Sequence, residues 1–177
     1  APPSRTVLEV TRSVPNQKGV LFIAANHAGD VLNFELVREL AELEGIASHC
    51  VYVADDISSA PADQQEERRG VAGIAFTVKV AGAASKAGYS LAEMKRVAQK
   101  AAAGTFTYGV TTSPGYMPGS GVAMGDLPPG YIEYGMGFNG EPGRLREPLC
   151  SADEITGKLM SELFKELPDN CEAAFMI

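Results

Sequence analysis

Hydrophobic positions along the chain switch between strand-length runs and helical spacing. Ser4–Val14 reads as a short helix that stops before Pro15. Gly19–Ala24 (GVLFIA) is an unbroken apolar run, the form expected of a strand covered on both faces. A helix is expected from Asp30, because Val37, Leu40 and Leu43 recur at helical intervals and Gly45 follows as a closing residue. His49–Ala54 (HCVYVA) returns to strand length. Residues 19–54 therefore predict a strand–helix–strand unit with parallel pairing.

Further along, Asp55–Arg69 is polar and reads as an exposed loop. Gly70–Gly88, rich in Ala, Gly and Val, fits a helix buried nearly all round. Ser90 with Glu93 forms a capping box that opens a helix over Ser90–Ala103, carrying Leu91, Met94, Val97, Ala98 and Ala101 on one face. Thr105–Thr111 is strand-like. Ser113–Gly130 holds five Gly and four Pro, too many for the interior of an element, so it is a linker or a functional loop. Tyr131–Phe138 resumes as a strand and Asn139–Gly143 as a turn. A second capping box, Ser151 with Glu154, opens a helix bearing Ile155, Leu159, Leu163 and Leu167. Ala173–Ile177 reads as a strand cut short, which suggests a chain taken from something longer. The fold class expected is α/β: a parallel-type sheet with flanking helices over 1–112, continuing over 113–177 into part of a second α/β domain.

Composition narrows the classes of function. At 177 residues, 45% hydrophobic and 21% charged, the chain can bury a core and is not of disordered type. Fifteen basic against 22 acidic residues give −7, without the cationic footprint that nucleic acid requires. No apolar stretch approaches the ~20 residues that span a bilayer, and nothing marks a signal peptide. A cytoplasmic protein with no membrane partner is expected. Cys50, Cys150 and Cys171 are expected as buried reduced thiols, and with only His27 and His49 present a zinc site is disfavoured.

Candidate chemistry gathers at Asn26-His27-Ala28-Gly29-Asp30, where the first strand runs into a helix. In open parallel sheets ligands bind at this end. Asp30 is either a general base for a substrate hydroxyl or the N-cap of its helix. His27 is a possible ligand contact, whereas His49 is read as structural. Asp55-Asp56 could hold Mg²⁺, or serve as solvated or capping groups. Arg68-Arg69 could clamp a phosphate or sit exposed against Glu66 and Glu67. Gly135–Gly143 either makes tight turns or admits close approach of a small ligand.

Taken in order, these segments resemble the dihydroxyacetone-binding K domain of dihydroxyacetone (glycerone) kinases. The resemblance covers almost the whole chain. It rests on Asn26-x-x-Gly29-Asp30-x-x-Asn33-Phe34, Asp55-Asp56-Ile57, Arg69-Gly70-Val71-Ala72-Gly73, Lys79-x-Ala81-Gly82-Ala83, Gly109-Val110, Gly135-x-Gly137 and Gly140-Glu141-Pro142-Gly143.

The resemblance implies a small ketose substrate, Asp30 as the group acting on its hydroxyl, and Asn26, Gly29, Asp30, Asn139 and Gly140 as substrate-binding residues. It implies no cofactor on this chain. It further implies ATP and Mg²⁺ on a helical L-type domain or subunit as partner, and a homodimeric K chain. Three features depart from the family pattern. Asn139 stands where the family has the histidine that forms a hemiaminal, and a carboxamide nitrogen is not nucleophilic. Ala25 replaces a lysine, and His27-Ala28 replaces Tyr-Thr. The glycine-rich N-terminal segment with a second histidine is absent. The leading expectation is a ketose-binding K-type kinase domain, with this chain alone inactive. The alternative is a non-catalytic pseudo-kinase that binds a ketose or scaffolds a partner.

Overall fold

A computed structural model describes residues 1–176 and divides the chain into two compact units, Ala1–Thr107 and Tyr108–Ile177. In the first unit the apolar runs form β1 (Val20–Ala25) and β2 (Ser48–Val53), which pair in parallel from Val20 opposite Ser48 to Ala25 opposite Val53. Between them runs α2 (Ala28–Leu43). Gly45 closes it with φ +77, and Ile46 N–H reaches back to the Ala41 carbonyl at 2.9 Å.

Alternation along the strands separates two helical layers. Val51, Val53, Leu21 and Ile23 pack towards α3 (Ile74–Lys86) and α4 (Leu91–Ala103), against Ile74, Ala81, Ala98 and Ala102. Phe22, Val20 and Cys50 face the other way, onto Leu8 of α1 (Ser4–Ser13) and Val37, Phe34 and Leu40 of α2. Val37 and Val53 are wholly excluded from solvent, and each contributes on the order of 1.5–3 kcal/mol. The expected α/β class with a parallel sheet and flanking helices holds.

Two expectations in this unit are corrected. Helix α3 is not buried all round: Thr77, Ala81 and Ala84 form one buried stripe, while Val78 and Val80 are 50% and 39% exposed. Nor is Asp55–Arg69 an exposed loop. Asp55, Asp56, Ile57, Ser58, Ala60 and Arg68 are all buried, and only the kinked 3-10 segment Ala62–Glu67 has no buried residue.

The second unit carries a three-stranded antiparallel sheet. Its strands are β3 (Val110–Thr111), β6 (Tyr131–Tyr134) and β7 (Leu145–Pro148), with β6 central. The strand expected over Thr105–Thr111 shortens to two residues, although Thr107 forms a parallel bridge with Asp56. Within Ser113–Gly130 the chain makes a small hairpin of β4 (Gly115–Tyr116) and β5 (Ala123–Met124). Helix α5 (Ala152–Phe164) starts at the Ser151–Glu154 capping box, as α4 does at Ser90–Glu93. The C-terminal strand is not formed over Ala173–Met176, where no neighbouring strand among the described residues supplies a ladder. Phe175 instead sits edge-on against Phe164 at 6.2 Å. Ile177, the end of that expected strand, lies outside the described residues.

All three cysteines are free, but none is fully buried and Cys171 is exposed. Among the described residues, no helix is long and apolar enough to cross a membrane.

Candidate functional site

The β1–α2 turn is fixed from below by the sheet and from the side by residues 66–73. Asn26 N–H continues the parallel ladder to the Val53 carbonyl at 2.9 Å. Its side-chain Nδ2 donates to the carbonyls of Glu66 and Arg68 at 3.0 and 2.7 Å. The carboxamide hydrogens of Asn26 are therefore spent on the protein. His27 Nε2 lies 2.8 Å from the Gly70 carbonyl. His27 is also the residue that caps α2 in extended conformation, without a side-chain capping bond.

Helix α2 thus begins two residues earlier than the sequence suggests. Asp30 falls in its first turn rather than at its cap. There it gains from the positive end of the helix dipole. It is partly exposed, and its carboxylate has no hydrogen bond or ion pair among the described residues. Gly29 beside it is exposed, and a Cβ there would sit 3.4 Å from Cβ of Ala1.

The segment that holds this turn is itself gripped by two buried carboxylates. Asp55 Oδ1 accepts from Val71 N–H at 2.8 Å, and Oδ2 accepts from Gly73 N–H at 2.7 Å and from the Thr107 hydroxyl at 2.5 Å. Asp55 therefore caps the start of α3 from another part of the chain. Asp56 accepts from Arg69 Nη2 at 2.7 Å and from Ser58 N–H at 2.9 Å. Neither carboxylate behaves as a solvated loop group, and Arg69 is an ion-pair partner rather than an exposed charge. Gly70 has no room for a side chain, since a Cβ would lie 2.2 Å from the Val53 carbonyl oxygen and 2.5 Å from Asn26 N. The Arg-Gly-Val-Ala-Gly run carried a signal for this packing in its small residues. The roles of Asp55 and Thr107 had no local signal.

In the second unit, Asn139 and Gly140 lie on the turn after β6. Gly140 has φ +90, and a Cβ on it would meet Gly125 N at 2.9 Å. The turn is anchored by Glu133, a buried β6 residue that accepts from Gly143 N–H at 2.6 Å and from Arg146 at 2.7 Å. Burial alone would raise the Glu133 pKa. The Gly143 N–H and the Arg146 guanidinium outweigh it, so the carboxyl lies below its ordinary value. Asn139 is exposed; its backbone N–H and its Nδ2 donate to the two oxygens of Glu141 at 3.0 and 2.9 Å.

The expected substrate residues thus form two groups: Asn26, Gly29 and Asp30 in the first unit, Asn139 and Gly140 in the second. Two clefts of about 380 Å³ lie elsewhere. One follows β2 and is lined by Cys50, Tyr52 and Gln99; the other lies between α5 and the antiparallel sheet, lined by Tyr134 and Lys158. No group of three or more His, Cys, Asp or Glu among the described residues could hold a metal ion, and Asp55 and Asp56 are committed to the donors named above.

The Dak1 domain family matches residues 1–177. An L-erythrulose kinase of Pectobacterium atrosepticum is 40% identical over 168 residues, covering 95% of this chain and 28% of that protein. The dihydroxyacetone-binding subunit DhaK of a PTS-dependent dihydroxyacetone kinase from Listeria innocua is 38% identical over 167 residues, covering 94% of this chain and 50% of the subunit. The crystal structure of the dihydroxyacetone kinase of C. freundii superposes with a TM-score of 0.87 at 34% identity, over 96% of this chain and 31% of that one. The same enzyme in complex with AMP-PNP and Mg²⁺ gives 0.86 at 33%, over 96% and 31%. The chain spans half or less of the length of these relatives.

Proposed function

Because the chain belongs to the Dak1 domain family, we propose that it supplies the ketose-binding part of a dihydroxyacetone- or erythrulose-type kinase. The observation that carries this reading is Asp30. It is a partly exposed carboxylate without a protein partner among the described residues, in the first turn of a helix at the C-terminal end of a parallel strand. Such a group is available to take the proton of a substrate hydroxyl as that oxygen attacks a phosphoryl group. Asn26 and His27 hold the turn in place, with Gly29 beside Asp30; Asn139 and Gly140 are proposed as ketose-binding residues of the second unit in their own right. With Asn139 in place of a nucleophilic side chain, the ketose is held by hydrogen bonds alone.

The phosphoryl donor, ATP with Mg²⁺, is assigned to a separate L-type domain or subunit. Homodimeric assembly, cytoplasmic location and the division into parts of two K subdomains at 112/113 belong to the same reading.

The test is turnover of dihydroxyacetone and erythrulose by the full-length protein with its nucleotide-binding partner and ATP–Mg²⁺. Asp30→Asn is expected to lower kcat about 100-fold or more, the usual weight of a general base, with little change in calorimetric Kd for the ketose. Unchanged kcat in Asp30→Asn would remove Asp30 from the chemistry. Ketose binding without turnover in the wild type would favour a binding module.

A further inference from the structure

Helices α2, α4 and α5 each carry an acid three residues after the cap, and they use it differently. In α4 and α5 the cap is serine. Glu93 Oε2 accepts from the Ser90 N–H at 2.8 Å and from its hydroxyl at 2.7 Å. Glu154 Oε2 accepts from the Ser151 N–H at 2.9 Å and from its hydroxyl at 2.7 Å. Both carboxylates are thereby tied to the helix start, and these bonds hold their pKa values below the ordinary one.

Helix α2 has the same spacing, with His27 at the cap and Asp30 three residues on. The backbone at 27 is extended, as at both serine caps, so a serine there would complete a third box. Two features withhold it. The His27 N–H donates to the Ala25 carbonyl at 2.8 Å rather than to an acid. The imidazole brings no hydroxyl, and it is turned to the segment on its other side. The Gly70 carbonyl can only accept, so Nε2 carries the hydrogen of that 2.8 Å contact.

We infer that His27 is a positioning residue that acts by withholding a cap: with no hydroxyl at 27 and its N–H already bonded, Asp30 is kept clear of the helix start and open to a ligand. The inference rests on the proposed role of Asp30 and names what keeps that carboxylate available. A capped carboxylate has to release a serine hydroxyl before it can take a proton from a substrate, and bonds to an ionised acceptor are the stronger kind. Without a side-chain capping bond, α2 forgoes the stability that serine adds at this position.

The test compares His27→Ser with His27→Ala in the full-length protein, with its nucleotide-binding partner, dihydroxyacetone and ATP–Mg²⁺. Both variants lose the ring, and they differ by one hydroxyl. His27→Ser is expected to resist urea better and yet turn over more slowly. Its kcat should lie about 10-fold below that of His27→Ala, the weight of a hydrogen bond to a charged group, with calorimetric Kd for the ketose alike in the two. A purely structural role for residue 27 predicts the reverse order, with activity following stability. In protein labelled with ¹³C-aspartate, the Asp30 carboxyl is identified by its loss in Asp30→Asn. It is expected to titrate at lower pH in His27→Ser than in His27→Ala, as a carboxylate that accepts a hydroxyl does. A kcat for His27→Ser equal to or above that of His27→Ala, or Asp30 carboxyls that titrate alike, would overturn the inference. Unchanged kcat in Asp30→Asn would instead remove the proposed catalytic role of Asp30. The titration needs no turnover, and it still decides whether residue 27 governs the bonding of that carboxylate.

Discussion

The Asp55 carboxylate and the Thr107 hydroxyl meet at 2.5 Å across 52 positions of sequence. The same carboxylate takes Val71 N–H and Gly73 N–H, so one buried group joins the end of β2, the start of α3 and the last residue of the first unit. Asp55→Ala leaves three buried or part-buried donors without their acceptor. Each such donor costs about 1–3 kcal/mol, so a loss of at least ~3 kcal/mol is expected in urea unfolding. Thr107→Val removes one donor and replaces it with a methyl, and is expected to cost ~1 kcal/mol. Combined with Asp55→Ala its effect should largely vanish, because the shared partner is already gone.

The pair of Arg69 with Asp56 predicts a comparable loss by another route. Its side chains are 17% and 5% exposed, and Asp56 also binds Ser58. Removing the guanidinium by Arg69→Met strands a buried carboxylate, a change that typically costs about 3–5 kcal/mol. Arg69→Met combined with Asp56→Asn should recover part of that loss, since no charge is then left unpaired. A double-mutant cycle on unfolding free energy measures the difference.

These two clusters also explain which parts of the fold were legible in the sequence. The runs Gly19–Ala24 and His49–Ala54 announced β1 and β2 because each buried strand is made of its own apolar residues. Both Ser-x-x-Glu boxes announced α4 and α5 for a similarly local reason. Asp55–Arg69 misled because polar residues taken one at a time read as exposed, whereas here they satisfy one another at separations of 2 to 52 positions. The site was half legible. Asp30 stood out by its place after a strand, but the start of its helix was set by His27, a residue with no strong capping preference. Glu133 had no local signal, because its partners, the Gly143 N–H and the Arg146 guanidinium, lie 10 and 13 positions away.

Two glycines are expected to respond in opposite directions to alanine. At Gly70 a Cβ would stand 2.2 Å from the Val53 carbonyl oxygen and 2.5 Å from Asn26 N, both of them backbone atoms of the sheet and site turn. Neither can yield without moving the β1–α2 turn, so Gly70→Ala should destabilise by ~2 kcal/mol or more and weaken ketose binding with it. Gly82 lies inside α3 with nothing within 4 Å of a Cβ. There alanine removes a helix-propensity penalty, and Gly82→Ala should stabilise by up to ~1 kcal/mol with binding unchanged. Thermal unfolding and calorimetry of the two variants check both signs.

Glu133 makes the asparagine-bearing turn sensitive to acid. Burial opposes its ionised form, but the Gly143 N–H and Arg146 favour that form by more, so its pKa in the folded chain lies below the ordinary 4.5. A carboxyl depressed by folding binds its proton more readily in the unfolded state. Its stabilising contribution is therefore fully present above the unfolded pKa and fades as pH falls through the lower, folded one. Glu133→Gln removes that contribution at every pH, since a neutral amide does not titrate in this range. At pH 6–7 the variant should be less stable than wild type, and its Gly143 amide should exchange faster with solvent. As pH drops below 4.5 the wild type should lose its advantage, so that the two unfolding free energies converge. Hydrogen exchange at Gly143 with urea unfolding across pH 3–7 reads both effects. A stability gap that stays constant to pH 3 would mean that the Glu133 charge does not anchor the turn.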